Sequence, residues 1–192
     1  GATDFINKPF GIEEIEAKVK RGIIERNIRQ ELNRLSITDA LTGLYNQRHF
    51  YDRLNEETAR AERQNHELAL ILLDLDDFKA YNDNFGHLAG DELLQKVGAV
   101  INSKMRQNVD SGYRYGGDEF AVMLIEADNT VAEMMSNRIQ SGILEDCNIS
   151  ASSGFAVFKK GLSAEALVGL ADRKLYEDKD RNKSEKRVAE KA

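Results

Sequence analysis

Carboxylates gather at two places in this chain where acids carry a free-energy cost. Asp74, Asp76 and Asp77 close the apolar run that begins at Leu68. Acids at the end of a buried strand are unfavourable unless a cation or hydrogen bonds compensate them. One or two of them could instead cap a helix starting near Asp77. Asp118 and Glu119 form the second group, directly after Gly116 and Gly117 in Tyr113–Glu126, YRYGGDEFAVMLIE. The apolar, aromatic and branched flanks predict strand, tight turn, strand. The glycines are expected to supply positive φ and to let the backbone approach a ligand closely. Adjacent strand residues face opposite ways, so the turn must twist before Asp118 and Glu119 can serve one site. In isolation this segment is a hairpin with an acidic tip. Its meaning depends on what the rest of the chain brings to it.

A third group lies between them. Asn82 and Asp91 flank a polar loop containing Gly86 and Gly90. An amide and a carboxylate suit the hydrogen-bonding edge of guanine. His87 reads as a packed loop residue rather than a metal ligand, because no second histidine is near it.

These groups need a scaffold. The spacing predicts helices over 11–35, 47–65, Asp91–Met105, Asp128–Leu144 and Ser163–Asp180. It predicts strands at Asp4–Asn7, Leu68–Leu75, the hairpin, and Ile149–Phe158. Residues Arg181–Ala192 read as a frayed tail. The first long helix carries an apolar stripe at Ile24, Ile28, Leu32 and Leu35, which either packs on the following domain or pairs with a second copy in a coiled coil. The fold class is α+β, an antiparallel central sheet flanked by helices. If the strand ending at Asp74 neighbours the hairpin, the acids meet in the geometry of polymerase-palm and nucleotide-cyclase sites, a ferredoxin-like arrangement.

Composition bounds the function. The chain of 192 residues carries a net charge of −6 with a pI near 5.2, so it offers no basic field for nucleic acid. Cys147 is the single cysteine, which rules out an intrachain disulfide or a cysteine zinc cluster. Apolar runs are too short to span a bilayer, and no signal peptide is expected. The expected location is cytoplasmic, with no membrane partner.

Taken in order, Asp39-Ala-Leu-Thr-Gly-Leu-Tyr-Asn46, the Asp74–Lys79 segment, Gly86-His87-Leu-Ala-Gly90-Asp91 and Arg114-Tyr-Gly-Gly-Asp-Glu-Phe120 resemble a GGDEF-family diguanylate cyclase over residues 36–185. Ser152-Ser-Gly154-Phe-Ala156 and Ala171-Asp172 through Leu175-Tyr176 to Lys179 extend the match. The resemblance implies condensation of two GTP molecules into cyclic di-GMP across a homodimer, with Mg²⁺, or Mn²⁺ in its place. It implies that Asp74, Asp118 and the Leu75 carbonyl bind metal. Glu119 would bind a second metal or act beside the reacting 3′-hydroxyl. Asn82 and Asp91 would recognise guanine. Lys79, Lys179 and the amides near Asp77 and Phe78 would hold the β and γ phosphates, and Gly116 and Gly117 would let the nucleotide approach. The alternative is a catalytically inactive module that binds GTP or a cyclic dinucleotide.

Two departures stand out. Lys183 occupies the place of the family's phosphate-binding arginine, a point charge instead of a fork. The inhibitory product site, Arg-x-x-Asp in the family, reads Gln107-Asn-Val-Asp110, and glutamine offers no charge-assisted contact. Arg106 is one place off and is expected on a different face. Residues 1–10, with Lys8-Pro9, resemble the end of a response-regulator receiver domain. An upstream receiver or sensor is then expected to be missing from this chain. Residues 11–35 would be its linker and dimerisation helix, and 186–192 a tail.

Overall fold

The structure is a computed structural model that describes the backbone of residues 12–189 and the side chains of residues 15–28, 32 and 37–184. The expected strand at Asp4–Asn7, the Lys8-Pro9 pair and the last residues of the tail lie outside the described residues. The chain divides into two units, up to Ile37 and from Thr38 onward.

The first unit consists of α1 (Ile12–Ile37). Ion pairs one turn apart, Glu16–Lys20 at 3.9 Å and Arg21–Glu25 at 3.0 Å, line its surface and support a solvated helix. Val19, Ile23, Ile24, Ile28 and Leu32 are each more than half exposed.

In the second unit, β1 (Leu68–Leu75), β2 (Ser111–Arg114), β3 (Glu119–Ile125) and β4 (Ala151–Val157) form one antiparallel sheet in the order β2-β3-β1-β4. Around it run α2 (Gln47–Gln64), α3 (Phe78–Phe85), α4 (His87–Lys104), α5 (Asn129–Cys147) and α6 (Ala164–Ala189). This is the ferredoxin-like α+β arrangement expected from the order of elements. Central β1 is apolar at nearly every position because both its faces are covered. Ala69, Ile71, Leu73 and Leu75 pack among Leu93, Val97 and Ile139 of α4 and α5. Leu68, Leu70 and Leu72 pack among Phe50, Leu54, Leu167 and Ala171 of α2 and α6. The Asn46 side chain caps α2 by accepting the His49 amide at 3.0 Å, and Asp128 caps α5 through Val131 at 2.8 Å. Each satisfies an N-terminal amide that the helix cannot pair itself.

Two of the boundaries that differ from expectation bear on the site. Helix α4 starts at His87 rather than Asp91, with Gly90 buried inside it. Gly90 reads as a loop residue, but it sits where α3 and α4 cross, and a Cβ there would lie 2.9 Å from Asn82 Cγ and 3.3 Å from the Phe78 ring. Helix α6 does not fray at Arg181 but runs on to Ala189. Its buried stripe continues in polar residues, with Asp178 bonding the Ser153 amide at 2.9 Å and Asn182 bonding Ser152 Oγ at 3.0 Å.

Gly154 sets how closely α6 lies on the sheet. A Cβ at this position would strike the Ala171 carbonyl and the Leu175 amide, with Leu175 Cα at 2.8 Å. These are backbone atoms, so the helix must shift as a body. Gly154→Ala is therefore expected to lower unfolding free energy by about 3 kcal/mol, measured by urea denaturation. A loss under about 1 kcal/mol would mean that α6 can lift away without consequence.

Candidate active site

Strand register brings the acids together. Asp74, near the end of β1, pairs directly with Glu119, the first residue of β3, and with Ser152 of β4. Asp74 continues the face of Leu68, Leu70 and Leu72, and Glu119 shares that face with Ala121 and Met123, which is the side covered by α6. Asp118 lies in the turn, outside the strand, and its carbonyl accepts the Leu75 amide at 3.3 Å. The turn thus supplies the twist needed for both acids to act on Asp74. Burial pushes the Asp74 carboxyl up; the Lys179 hydrogen bond and charge pull it back, and Asp118 and Asp76 add to the rise. Glu119 is raised by burial and then by Asp74 and Asp118. Lys179 Nζ stands 2.7 Å from Asp74 Oδ2.

The turn is held differently from its expectation. Positive φ among the described glycines occurs at Gly43, Gly86 and Gly161, not at Gly116 or Gly117. The Tyr115 and Gly116 amides both bond the Glu119 carbonyl, at 2.8 and 3.1 Å. A wider turn closed this way does not need the left-handed region. Gly116 instead makes room, since a Cβ there would run into the Glu119 carboxylate, its carbon at 3.3 Å. Gly117 faces open space, as close approach of a ligand requires. Arg114 holds the Gly117 carbonyl at 2.9 Å and reaches Asp39 at 3.4 Å. Asp39 also accepts the Thr42 amide and hydroxyl at 2.9 and 2.7 Å. Burial opposes its charge, but Thr42 and Arg114 outweigh that and hold its carboxyl below the usual range.

Beyond Asp74 the chain turns sharply. Asp77 adopts φ 59 and precedes α3 with no side-chain capping bond, so its carboxylate is not the helix cap considered from sequence. A left-handed aspartate costs about 1 kcal/mol or more, and its side chain makes no capping bond to the first turn of this eight-residue helix. Such an end favours an anion. Phe78 is half-buried beside it, and Lys79 is exposed on the first turn. One turn on, the Asn82 side-chain oxygen is buried without a hydrogen-bond partner. It lies against Gly90, and Asp91 follows, exposed. A buried orphan acceptor next to a free carboxylate fits a ligand with adjacent N–H donors.

Helix α6 supplies two side chains that the sequence reading missed, Asp178 and Asn182, beside the expected Lys179. Asp178, Lys179 and Asn182 all reach the sheet end that carries the acids. Asp178 is buried, accepts from Gln140 at 3.3 Å and pairs with Arg181. Asp76 Oδ1 accepts Ser152 Oγ at 2.7 Å, while its second oxygen is buried without a partner. The signal was present: Leu167, Ala171, Leu175, Asp178 and Asn182 continue one helical stripe. Lys183, assigned to phosphate, is exposed on α6 one turn after Lys179.

At the expected product site, Arg106 is not turned away from Asp110. Its guanidinium clamps the buried Asp110 carboxylate at 2.7 and 2.9 Å and donates to the Ile125 carbonyl at 2.5 Å. Asp110 also accepts the Arg106 amide at 3.0 Å, so that carboxylate is already paired within the chain.

The oxygen set fits a hard divalent cation. Asp74, raised by burial and by Asp118 and Asp76, and Glu119, raised by burial and by Asp74 and Asp118, gain from added positive charge. Among the described residues no three histidine, cysteine or acidic side chains are grouped so as to hold a metal ion by themselves. Few protein oxygens, completed by substrate phosphates, is the pattern Mg²⁺ favours. Among the described residues no helix is long and apolar enough to cross a membrane.

Residues 36–185 match the family described as diguanylate cyclase, GGDEF domain. The diguanylate cyclase DgcS of Shewanella oneidensis is 35% identical over 173 residues, covering 88% of this chain and 58% of that protein. The response regulator PleD of Caulobacter vibrioides is 32% identical over 198 residues, covering 93% of this chain and 43% of PleD. The crystal structure of the coiled coil and GGDEF domain of DgcB from Caulobacter crescentus, in complex with c-di-GMP, has a TM-score of 0.75. It is 30% identical, covering 84% of this chain and 92% of that one.

A raised carboxyl destabilises the fold when ionised. The stability tied to protonated Glu119 is full below the ordinary carboxylate range and is lost as pH rises through its raised value. Glu119→Gln, which cannot ionise, is therefore expected to melt higher than the parent at neutral pH. The difference should shrink in acid. Thermal denaturation at the two pH values checks this, and a lower melting point at neutral pH would contradict it.

Proposed function

The chain belongs to the GGDEF family of diguanylate cyclases, and from that premise we propose that it condenses two GTP into cyclic di-GMP and two pyrophosphates. The observation that carries this reading is the register of Asp74 with Glu119, beside Asp118. The orphan Asn82 acceptor lies a few residues along the chain from it. Asn82 and Asp91 take the guanine edge. The open α3 terminus, with Lys79 and Lys179, takes the β and γ phosphates, and Lys183 adds charge at the α6 side. Mg²⁺ held by Asp74, the Leu75 carbonyl, Asp118 and Glu119 would supply charge neutralisation at the α-phosphate and acidify the attacking hydroxyl, and Mn²⁺ would serve the same oxygens. The 3′-oxygen of each GTP forms a bond to the α-phosphorus of the other, the two bonds to the pyrophosphate oxygens break, and each hydroxyl gives up its proton. Glu119, its carboxyl raised, is the chain's own group beside the hydroxyl proton.

Each domain holds one GTP, so two copies must face each other. Joining them raises the effective concentration of the half-sites. The exposed apolar residues of α1 suit a second copy of the same helix, under an upstream receiver or sensor in the cytoplasm. Arg106 occupies Asp110, and Gln107 offers no charge, so product has no charged pair to bind there.

The experiment is to incubate the protein with Mg²⁺ and GTP, or ATP, and to identify products by mass. Cyclic di-GMP from GTP alone is expected, falling by more than roughly 100-fold in Asp118→Ala. Bound but unconverted GTP at high protein concentration would favour the inactive module. Micromolar cyclic di-GMP is expected to leave the rate unchanged; inhibition that Asp110→Ala abolishes would refute the reading of the Gln107–Asp110 segment. Deletion of residues 1–35 should sharply lower turnover at low enzyme concentration, and an unchanged rate would remove α1 from the mechanism.

A further inference from the structure

Lys179 is in an unexpected place for a phosphate ligand. Its ammonium is bonded to Asp74 Oδ2 at 2.7 Å, with Asp74 only 13% exposed and Lys179 29% exposed. That oxygen is one a metal would need. The contact is not incidental to a wandering helix end, because the residues on either side are fixed. Asp178 bonds the Ser153 amide and Asn182 bonds Ser152 Oγ, which in turn bonds Asp76. The α6 backbone is therefore anchored to β4, and only the four-carbon lysine stem is free to carry the charge elsewhere. Asp74 cannot be left without a cation, since Asp118 and Asp76 press on it from the same sheet end.

We propose that Lys179 gates the metal: without nucleotide its ammonium holds Asp74 and keeps the divalent cation out, and it releases the carboxylate when a triphosphate gives it other oxygens. The proposal rests on the cyclase reading and deepens it. Cation and nucleotide then bind with positive coupling, and Lys179 is the residue that couples them. By reciprocity the cation strengthens nucleotide binding by the same factor. A lysine that served only as a phosphate ligand would have no effect on metal binding when nucleotide is absent.

The test uses the full chain, Mn²⁺ as the probe read by the paramagnetic resonance of the free ion, and an α,β-methylene analogue of GTP that cannot react. In the parent protein Mn²⁺ should bind weakly alone and roughly 5-fold or more tightly with the analogue. In Lys179→Gln, Mn²⁺ binding without nucleotide should rise by roughly 5-fold, and the enhancement by the analogue should shrink. Lys179→Arg keeps the charge and should keep nucleotide-free binding weak, which separates the charge from any loss of folding. Adding Asp74→Asn to Lys179→Gln should remove the gain and so locate it. Equal or weaker nucleotide-free Mn²⁺ binding in Lys179→Gln overturns the proposal while leaving the cyclase reading intact. A parent protein that binds neither the analogue nor Mn²⁺ in its presence overturns both.

Discussion

The structure depends on a repulsion. Asp74, Asp118 and Glu119 meet at one end of a sheet whose body is fully buried. Directly paired strand residues have side chains about 5 Å apart. Like charges at that distance repel by roughly 3 kcal/mol at an effective dielectric near 20. Several other features answer that cost. Lys179 places a positive charge on Asp74. Arg114 braces the turn that carries Asp118 by holding the Gly117 carbonyl and Asp39. Helix α6 extends beyond its apolar stripe and is tied down by Asp178 and Asn182, which is what brings Lys179 within reach. A stable protein without a cation to bind would gain by losing these acids, so their presence is itself the strongest argument for a function there.

Much of this was legible in the sequence because it rests on local periodicity. The run Leu68–Leu75 has the length and composition of a strand covered on both faces, and the strand-turn-strand pattern around Gly116 places Asp118 and Glu119 at a tip. Once those two strands were neighbours, Asp74 and Glu119 had to meet. The orphaned acceptor on Asn82 agrees with an assignment made from residue type alone.

What was not legible depends on contacts between distant elements. The sequence beyond Arg181 is mixed in charge and looks frayed; Asp178 and Asn182 extend the helical stripe of Leu167, Ala171 and Leu175, but their polar side chains do not say that they bond to β4. Asp39 caps its own turn through Thr42, but its second bond, from Arg114, joins the start of the domain to the tip of the hairpin. Arg106 was placed on the wrong face because residue counting assumes a regular element, whereas the turn at residues 106–110 folds the guanidinium back onto Asp110.

The glycines carry the same lesson. Gly116 was read as a source of positive φ, but there, and at Gly90 and Gly154, the missing atom matters more than the missing restraint. Gly90 leaves room for the Asn82 amide, Gly116 for the Glu119 carboxylate, and Gly154 for the backbone of the helix that bears Lys179. Each is a point where a group of the proposed site and a piece of main chain must share one place. A side chain at any of them would displace Asn82, Glu119 or the helix that carries Lys179. Close backbone approach is thus what lets so small a sheet gather Asp74, Asp118, Glu119 and Lys179 at a single end, and it explains why the site is set by the packing of α3, α4 and α6 as much as by the acids themselves.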